Sequence, residues 1–452
     1  MNKSLFGAIG LLLLIGISGC LVVDNEYDSI APGPWRAELE LVPRQLAAEA
    51  LNDDKRDKDQ KISREVEDLS EGILPFVFEV RYKDETKVYI EILNGEERIR
   101  VEDVTIGRDR ATGKDTLLIN FPVYESYIRG VFEQGVMNGE FVATNRGSNY
   151  RIPFSARQGK NYRFTTLRKA PKINVSGRWE TTFGVDSDAP YQAIGEFSQQ
   201  GNRLLGTFVT ETGDYRFLEG TVQDNKFYLS CFDGAHAFLF TGKILSDSSI
   251  IGTFRSGNHF RTTWKAKRNE SFTLRNPMQI TFLKEGYNRF AFEFPNPQGK
   301  SISLDSPEYQ NKVKLIQIMG TWCPNCRDET VFLQQYLREN PDSDLAVISL
   351  AFEKHKEQTK AFQTIKRFKE KFDIDYEVVH AGYSDKQAAS EALPMLNQVV
   401  SYPTLIFVDR KDQVRKIHTG FKGPATAEYP AFKKEFEAIV ADLLSESAST
   451  IN

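Results

Sequence analysis

The feature that most constrains the fold is a pair of cysteines, separated by two residues, that directly follows a short apolar segment. Lys314–Met319 is a predicted buried strand, and it leads into Cys323-Pro324-Asn325-Cys326. A helix is predicted from Pro324 to about Arg338, because proline is well tolerated in the first helical turn. A strand that runs into Cys-x-x-Cys at a helix start indicates a redox dithiol when strands and helices alternate around it.

That alternation extends over residues 290–446, which we predict to form one α/β domain. Apolar periodicity predicts helices around Phe362–Phe372 and Tyr429–Leu443. Further strands are predicted at Phe290–Phe294, Ser301–Leu304, Leu345–Ala351, Glu377–His380, Thr404–Val408 and Val414–His418.

The spacing of the two cysteines assigns them different roles. Cys323 lies at the helix entrance, where unpaired N–H groups and the helix dipole favour the thiolate that attacks a disulfide. Cys326 is one turn further on and can resolve the mixed disulfide. The alternative, half of a zinc site, lacks a second Cys/His pair at suitable spacing.

The segment Phe290–Cys326 resembles the TlpA/ResA family of extracytoplasmic thiol–disulfide reductases. The resemblance rests on the phenylalanine-rich strand, the Asn296-Pro297-Gln298-Gly299 turn and the Trp-Cys-Pro-x-Cys motif, and it covers roughly the last third of the chain. Ser401-Tyr402-Pro403-Thr404 lies where that fold carries its cis-proline loop. The resemblance therefore implies a thioredoxin-like domain.

The resemblance also implies a substrate-binding edge made of Trp322, Pro324, Tyr402 and Pro403. If the bond before Pro403 is cis, the preceding backbone is open to pair with an extended substrate beside the sulfurs. Trp322 is interpreted as a packing and substrate-edge residue rather than a catalytic one.

Glu329 matches the acidic residue that ResA-like proteins place beside their cysteines. The implied role is to tune the two thiols and to exchange a proton with Cys326. The alternative is a first-turn glutamate that complements the helix dipole. Gln317 stands six residues before Cys323, where thioredoxin has a buried aspartate. A proton relay through that position is therefore absent, which gives Glu329 a larger part in proton transfer.

The N-terminus is interpreted as a lipoprotein signal peptide over residues 1–19, followed by a tether over 20–32. The apolar run Leu5–Ile17 is about 20 Å long as a helix, short of the roughly 30 Å hydrocarbon core. Ile17-Ser18-Gly19-Cys20 resembles the bacterial lipobox, which implies lipidation of Cys20; a plain secretory signal is the alternative. We expect a membrane-anchored protein that faces the periplasm, with the choice of inner or outer membrane left open.

Between the tether and the redox domain, short strands and tight turns predict an all-β region of two antiparallel meander or barrel-like units. We place them at residues 33–170 and 171–268, with a connector over 269–289. Gly33-Pro34-Trp35 matches Gly177-Arg178-Trp179, which predicts a degenerate duplication, and the second unit resembles calycin barrels in pattern. Cys231 is either a buried structural thiol or a resolving partner.

The fold class is therefore multidomain, with an all-β N-terminal region followed by an α/β thioredoxin-like domain. With 58 basic and 62 acidic residues, the chain has no nucleic-acid footprint. We expect a thiol–disulfide oxidoreductase that reduces disulfides of periplasmic proteins, apocytochrome c among the candidates, and draws electrons from a membrane thiol donor. No metal or cofactor is expected beyond the redox-active Cys323–Cys326 pair. The alternatives are a disulfide oxidase or isomerase, and a binding lipoprotein whose β units carry the main function.

Overall fold

The computed structural model describes residues 30–42, 72–84, 87–147, 149–341 and 343–446. Cys20 and the predicted signal peptide lie outside the described residues. The expected fold class is confirmed: two antiparallel β units precede an α/β domain of thioredoxin type. In the part of the chain that is described, we find no helix with the length and apolar character needed to span a bilayer.

The first β unit is a nine-stranded antiparallel sheet in the order β4-β3-β2-β1-β9-β8-β7-β6-β5. Its first and last strands pair with each other, which brings the ends of the unit together. Residues alternate between the core and the outer face, as in Val88–Asn94. The strands are β1 (Gly33–Glu40), β2 (Ile73–Tyr82), β3 (Val88–Asn94), β4 (Glu97–Val101), β5 (Val104–Arg108), β6 (Asp115–Phe121), β7 (Ser126–Glu133), β8 (Val136–Ala143) and β9 (Arg151–Gln158).

The second β unit is also antiparallel, and its sheet closes on itself. β10 pairs with both β11 and β18, and β11 pairs with β12, so the ladder returns to its start through β14 to β17. The short β13 pairs only with β12. The strands are β10 (Gly177–Phe183), β11 (Tyr191–Gln200), β12 (Arg203–Thr210), β13 (Gly213–Asp214), β14 (Leu218–Gln223), β15 (Lys226–Phe232), β16 (Ala237–Ser246), β17 (Ser249–Ser256) and β18 (Phe260–Arg268).

The two β units share structural features beyond the Gly-x-Trp match that predicts a duplication. The indole N–H of Trp35 donates to the Ala31 carbonyl at 3.0 Å, and that of Trp179 donates to Val175 at 2.8 Å, four residues back in both cases. Two glycines also face each other in equivalent hairpins, at Gly130–Gly139 and Gly242–Gly252. A Cβ on Gly252 would lie 2.0 Å from the Thr241 carbonyl oxygen, so only glycine fits there.

The C-terminal domain has a five-stranded sheet in the order β23-β22-β21-β24-β25, flanked by four helices. β21, β22 and β23 are parallel to one another. β24 runs antiparallel to β21, and β25 runs antiparallel to β24 and therefore in the same direction as the first three strands. The strands are β19 (Glu293–Pro295), β20 (Ser301–Ser303), β21 (Val313–Met319), β22 (Leu345–Glu353), β23 (Glu377–Tyr383), β24 (Thr404–Val408) and β25 (Val414–Thr419). The helices are α1 (Pro324–Glu339), α2 (Gln358–Phe372), α3 (Lys386–Ala392) and α4 (Tyr429–Ser445).

One predicted element of this domain is misplaced. The strand expected at Phe290–Phe294 is displaced toward the C-terminus and shortened to Glu293–Pro295. Phe290 and Phe292 are buried in the core although they lie outside the regular strand. Their apolar character therefore reports core packing rather than strand pairing.

Candidate functional site

The two cysteines of the motif lie at the N-terminus of α1, where β21 ends and the helix begins. Cys323 is the N-cap residue, and its Sγ accepts a hydrogen bond from the Cys326 backbone N–H at 3.3 Å. Pro324 is the first helical residue, where its missing N–H costs nothing. Cys323 is 8% exposed and Cys326 is fully buried. Cys323 is therefore the one of the two that solvent or a substrate can reach.

The loop before β24 brings a second set of predicted site residues to Cys323. The Tyr402–Pro403 peptide bond is cis. The Cys323 thiol donates to the Tyr402 carbonyl oxygen at 3.5 Å. The Trp322 ring stands edge-on to Tyr402 at 5.7 Å between centroids, and its indole N–H donates to the Phe352 carbonyl at 2.9 Å. The sulfur and the predicted substrate edge thus share one opening.

Burial controls the ionisation of Cys326. Its pKa lies well above the ordinary value, first because the thiol is desolvated and next because Cys323 is its immediate neighbour. The charge of Glu329 acts in the same direction but contributes least. Cys326 is thus held as a thiol that must lose a proton before it can act as a nucleophile.

Glu329 is completely buried beneath the dithiol. Gln317 Nε2 donates to Glu329 Oε2 at 2.9 Å, and the same amide nitrogen lies 3.4 Å from the Cys326 carbonyl oxygen. Burial raises the pKa of Glu329 to about 8, and the hydrogen bond from Gln317 opposes that shift. The alternative, a first-turn glutamate that complements the helix dipole, does not match this position, because Glu329 is the sixth residue of α1 and is completely buried.

A second buried carboxylate beside the site was not anticipated. Glu353, at the end of β22, accepts hydrogen bonds from the Thr321 backbone N–H at 3.1 Å and from the Thr321 hydroxyl at 2.7 Å. These bonds fix the turn that carries Trp322 and Cys323. The signal in the sequence was a charged residue that closes an otherwise apolar strand, which usually marks a strand end and nothing more.

The second β unit also reaches the site, through the segment between β12 and β14. Asn325, which separates the two cysteines, donates its side-chain N–H to the Asp214 carbonyl at 3.3 Å. The Ser401 hydroxyl donates to the Thr212 carbonyl at 2.8 Å. These contacts join residues more than 100 positions apart, so periodicity and motif spacing could not reveal them.

Arg216, in the same segment, forms ion pairs with the first β unit, with the rest of the second β unit and with the thioredoxin-like domain. Its buried guanidinium, 2% exposed, contacts Glu97 of the first β unit, Asp233 of the second and Asp328 of α1. The Nε–Oδ2 distance to Asp233 is 3.2 Å. Since Asp328 is two residues after Cys326, this cluster ties the position of the cysteine helix to both β units.

The remaining predicted features are separate from this site. Cys231 is fully buried in β15 and has no disulfide partner among the described residues, and burial is the main cause that raises its pKa well above the ordinary value. That environment fits a structural thiol. Within the described ranges, no group of three or more His, Cys, Asp or Glu side chains is arranged to hold a metal ion.

Comparison with known sequences gives similarity over the C-terminal domain. Residues 287–417 match the AhpC/TSA family. The thioredoxin-like protein YneN of Bacillus subtilis is 28% identical over 141 residues, which are 30% of this chain and 73% of the relative.

Comparison with solved structures gives matches that cover about a third of this chain. A thioredoxin-family thiol:disulfide interchange protein from Chlorobium tepidum has 20% identity and a TM-score of 0.27, and the match covers 36% of this chain and 99% of that one. The thioredoxin domain of a Bacteroides vulgatus thiol-disulfide oxidoreductase has 19% identity and a TM-score of 0.26, with 34% and 99% coverage. Together with the fold and the dithiol, the family match identifies the C-terminal third as a thioredoxin-like domain similar to the AhpC/TSA family, which supports a redox function.

Proposed function

We propose that the chain is a thiol–disulfide oxidoreductase that reduces disulfides of extracytoplasmic proteins through Cys323 and Cys326. One observation carries the proposal: the partly exposed Cys323 caps α1, 3.3 Å from the Cys326 N–H and 3.5 Å from the Tyr402 carbonyl. A sulfur at that position faces the first backbone N–H groups of α1, which have no partner within the helix. A substrate sulfur that enters this opening meets the nucleophile first and Trp322 and Tyr402 beside it.

The reaction consists of two exchanges. The Cys323 thiolate forms a bond to one substrate sulfur, the substrate S–S bond breaks, and the departing sulfur takes up a proton. Cys326 then loses its proton and attacks Cys323 Sγ, which releases the second substrate thiol. The substrate gains two electrons and two protons, and the chain is left with a Cys323–Cys326 disulfide that a thiol donor must reduce again.

Glu329 supplies a proton acceptor for the second exchange in this proposal. It lies one helical turn after Cys326, and its pKa of about 8 places its titration near neutral pH. A group with a pKa near the working pH can both accept and return a proton. Glu329 is thereby a positioning and proton-exchange residue rather than a nucleophile.

The test is reduction of insulin by the full chain in the presence of dithiothreitol. We expect activity above the dithiothreitol background, and its loss in Cys323→Ser. Cys231→Ala is the matched control, because that cysteine is buried in the second β unit, and it should retain the activity. Full activity of Cys323→Ser would refute the assignment of the nucleophile.

The direction of electron flow is tested by the reduction potential of the Cys323–Cys326 pair. A value near roughly −270 mV, as in thioredoxin, supports the reductase, whereas one near roughly −120 mV indicates an oxidase. A reductase in an oxidising compartment needs a continual supply of electrons to reduce its own disulfide, so we include a membrane thiol donor in the proposal. Periplasmic protein disulfides, with apocytochrome c among them, are the proposed substrates.

We also propose that lipidation of Cys20 tethers the protein to a membrane with its domains in the periplasm. The lipobox-like Ile17-Ser18-Gly19-Cys20 supports this. Two or more acyl chains give stable anchoring, whereas one chain gives only marginal binding. Mass spectrometry of the membrane fraction should find an acylated N-terminal Cys20, and a free Cys20 thiol or an intact Met1 would refute the tether.

A further inference from the structure

The segment of residues 211–216, which follows β12 and contains the short β13, lies at the opening to the dithiol; we call it the cleft loop. It belongs to the second β unit, yet its backbone contacts both sides of the opening around Cys323. On one side the Asp214 carbonyl accepts from Asn325 at 3.3 Å. On the other side the Thr212 carbonyl accepts from Ser401 at 2.8 Å.

These two contacts place the loop next to the reacting sulfur. Asn325 is two residues after Cys323, and Ser401 immediately precedes Tyr402, whose carbonyl lies 3.5 Å from Cys323 Sγ. The packing leaves no space between loop and domain. A Cβ on Gly213 would lie 2.3 Å from Asn325 Nδ2, and one on Gly420 would lie 2.8 Å from the Thr212 carbonyl carbon.

The cleft loop is held at several points, so it forms a fixed wall. The Asp214 carboxylate accepts two hydrogen bonds from the backbone, one from the Gly423 N–H at 2.7 Å and one from the Arg216 main-chain N–H at 2.7 Å. Arg216 is in turn buried against carboxylates of both β units and of α1. Glu211, at the start of the loop, pairs with Arg275 of the connector.

A fixed wall has a consequence for thiol–disulfide exchange. The attacking sulfur must approach a substrate sulfur closely and in line with its S–S bond, and only 8% of Cys323 is exposed. A disulfide on an extended or flexible segment can thread into such an opening. A disulfide embedded in the surface of a folded domain brings its surroundings with it, and these collide with the cleft loop.

We propose that the cleft loop determines substrate specificity: it makes Cys323 exchange faster with disulfides carried on flexible, extended segments than with disulfides held in folded proteins. The proposal rests on the thiol–disulfide exchange proposed above and names its substrate class. It also assigns a role to the second β unit, which supplies one wall of the substrate site.

The test compares two substrates: a flexible peptide with one intramolecular disulfide, and a folded protein with a surface disulfide. Each is mixed with a stoichiometric amount of the full-length protein in its reduced, dithiol form, and the rate of disulfide reduction is measured. The variants are Asp214→Ala, which removes the acceptor of the Gly423 and Arg216 N–H groups, and Asp214→Asn, which keeps a carbonyl acceptor. Asp188→Ala is the matched control, since Asp188 is an exposed turn residue of the same β unit. Hydrogen exchange over residues 211–216 and at Gly423 reports whether the loop has loosened.

We expect the wild-type chain to reduce the flexible peptide roughly tenfold faster, or more, than the folded protein, because poor alignment of the reacting atoms slows a reaction by factors of that order. Asp214→Ala should lower this preference at least about fivefold, Asp214→Asn should lie between, and Asp188→Ala should match the wild type. An unchanged preference in a variant whose loop exchanges faster overturns the proposal, and Asp214→Asn decides the matter if Asp214→Ala does not fold. Failure of the wild type to reduce either substrate refutes instead the function on which the proposal rests.

Discussion

Gln317 Nε2 donates a 2.9 Å hydrogen bond to Glu329 Oε2, while the other carboxyl oxygen, Oε1, is buried without a hydrogen-bond partner among the described residues. The side-chain amide oxygen of Gln317, Oε1, accepts hydrogen bonds from the hydroxyls of Thr330 and Ser349, at 3.0 and 2.7 Å. Those bonds fix the amide so that its N–H₂ faces Glu329. A single donor stabilises the carboxylate less than burial destabilises it, and the pKa of Glu329 rises to about 8.

The stability of the fold should therefore depend on pH through Glu329. Its pKa is raised above the unfolded value, so the native state binds the proton more tightly. The stabilisation is complete below about pH 4 and is lost as pH rises through about 8. Urea unfolding of the wild type and Glu329→Gln at several pH values should show the wild type losing stability relative to the variant, on the order of a few kcal/mol. Parallel pH profiles would contradict this.

The acidity of Cys326 should change little when Glu329 is neutralised. Glu329 is mostly protonated at pH 7, and its charge is the smallest of the causes that raise the Cys326 pKa. We expect Glu329→Gln to lower the Cys326 pKa by less than about one unit, as measured by titration of the thiolate absorbance in the wild type and the variant.

At pH 8, where about half of Glu329 is ionised and can accept a proton from Cys326, the same variant should slow the resolution step by roughly tenfold or more. Rapid mixing with a model disulfide measures this step directly. Unchanged rates together with superimposable titrations would leave Glu329 with a structural role only.

The redox domain was the part most accessible from sequence. The Cys-x-x-Cys after an apolar strand located α1 to within one residue at its end, Pro324–Glu339 against the expected Pro324–Arg338. Local signals sufficed there because capping, proline placement and period are all properties of a short segment. The short α3 (Lys386–Ala392) was missed, since seven residues carry too little periodicity.

The surroundings of the site could not be predicted in the same way. The cleft loop approaches Asn325 and Ser401 only because closure of the second β sheet projects the β12–β14 connection toward the redox domain. No motif in the sequence singles out Arg216, yet it is buried among three carboxylates. Long-range packing decides such contacts, and it leaves no periodic trace.

Cys326→Ala should convert turnover into trapping. Cys323 can still attack, but the mixed disulfide it forms has no internal thiol to resolve it. Purification of the tagged variant from cells that express it should yield covalent partners on a non-reducing gel that disappear with reductant. Cys323→Ala is the control, and it should trap nothing because Cys326 is fully buried. Equal trapping by both variants would contradict the division of roles.

Replacement of Arg216 should reveal how strongly the three units depend on one buried cation. Arg216→Ala removes the cation that joins the carboxylates of Glu97, Asp233 and Asp328, and it leaves Arg327 as the cation beside Glu97 and Asp328. Loss of one partner from a buried ion cluster costs about 3–5 kcal/mol, so the urea midpoint should fall markedly. The matched control is Arg203→Ala, whose pair with Glu219 is half exposed and should be worth less than about 1 kcal/mol. Because Asp328 lies on the cysteine helix, Arg216→Ala should also speed hydrogen exchange in the first turns of α1, whereas Arg203→Ala should not. A small stability loss with unchanged exchange in α1 would mean that the β units hold the redox domain by other contacts.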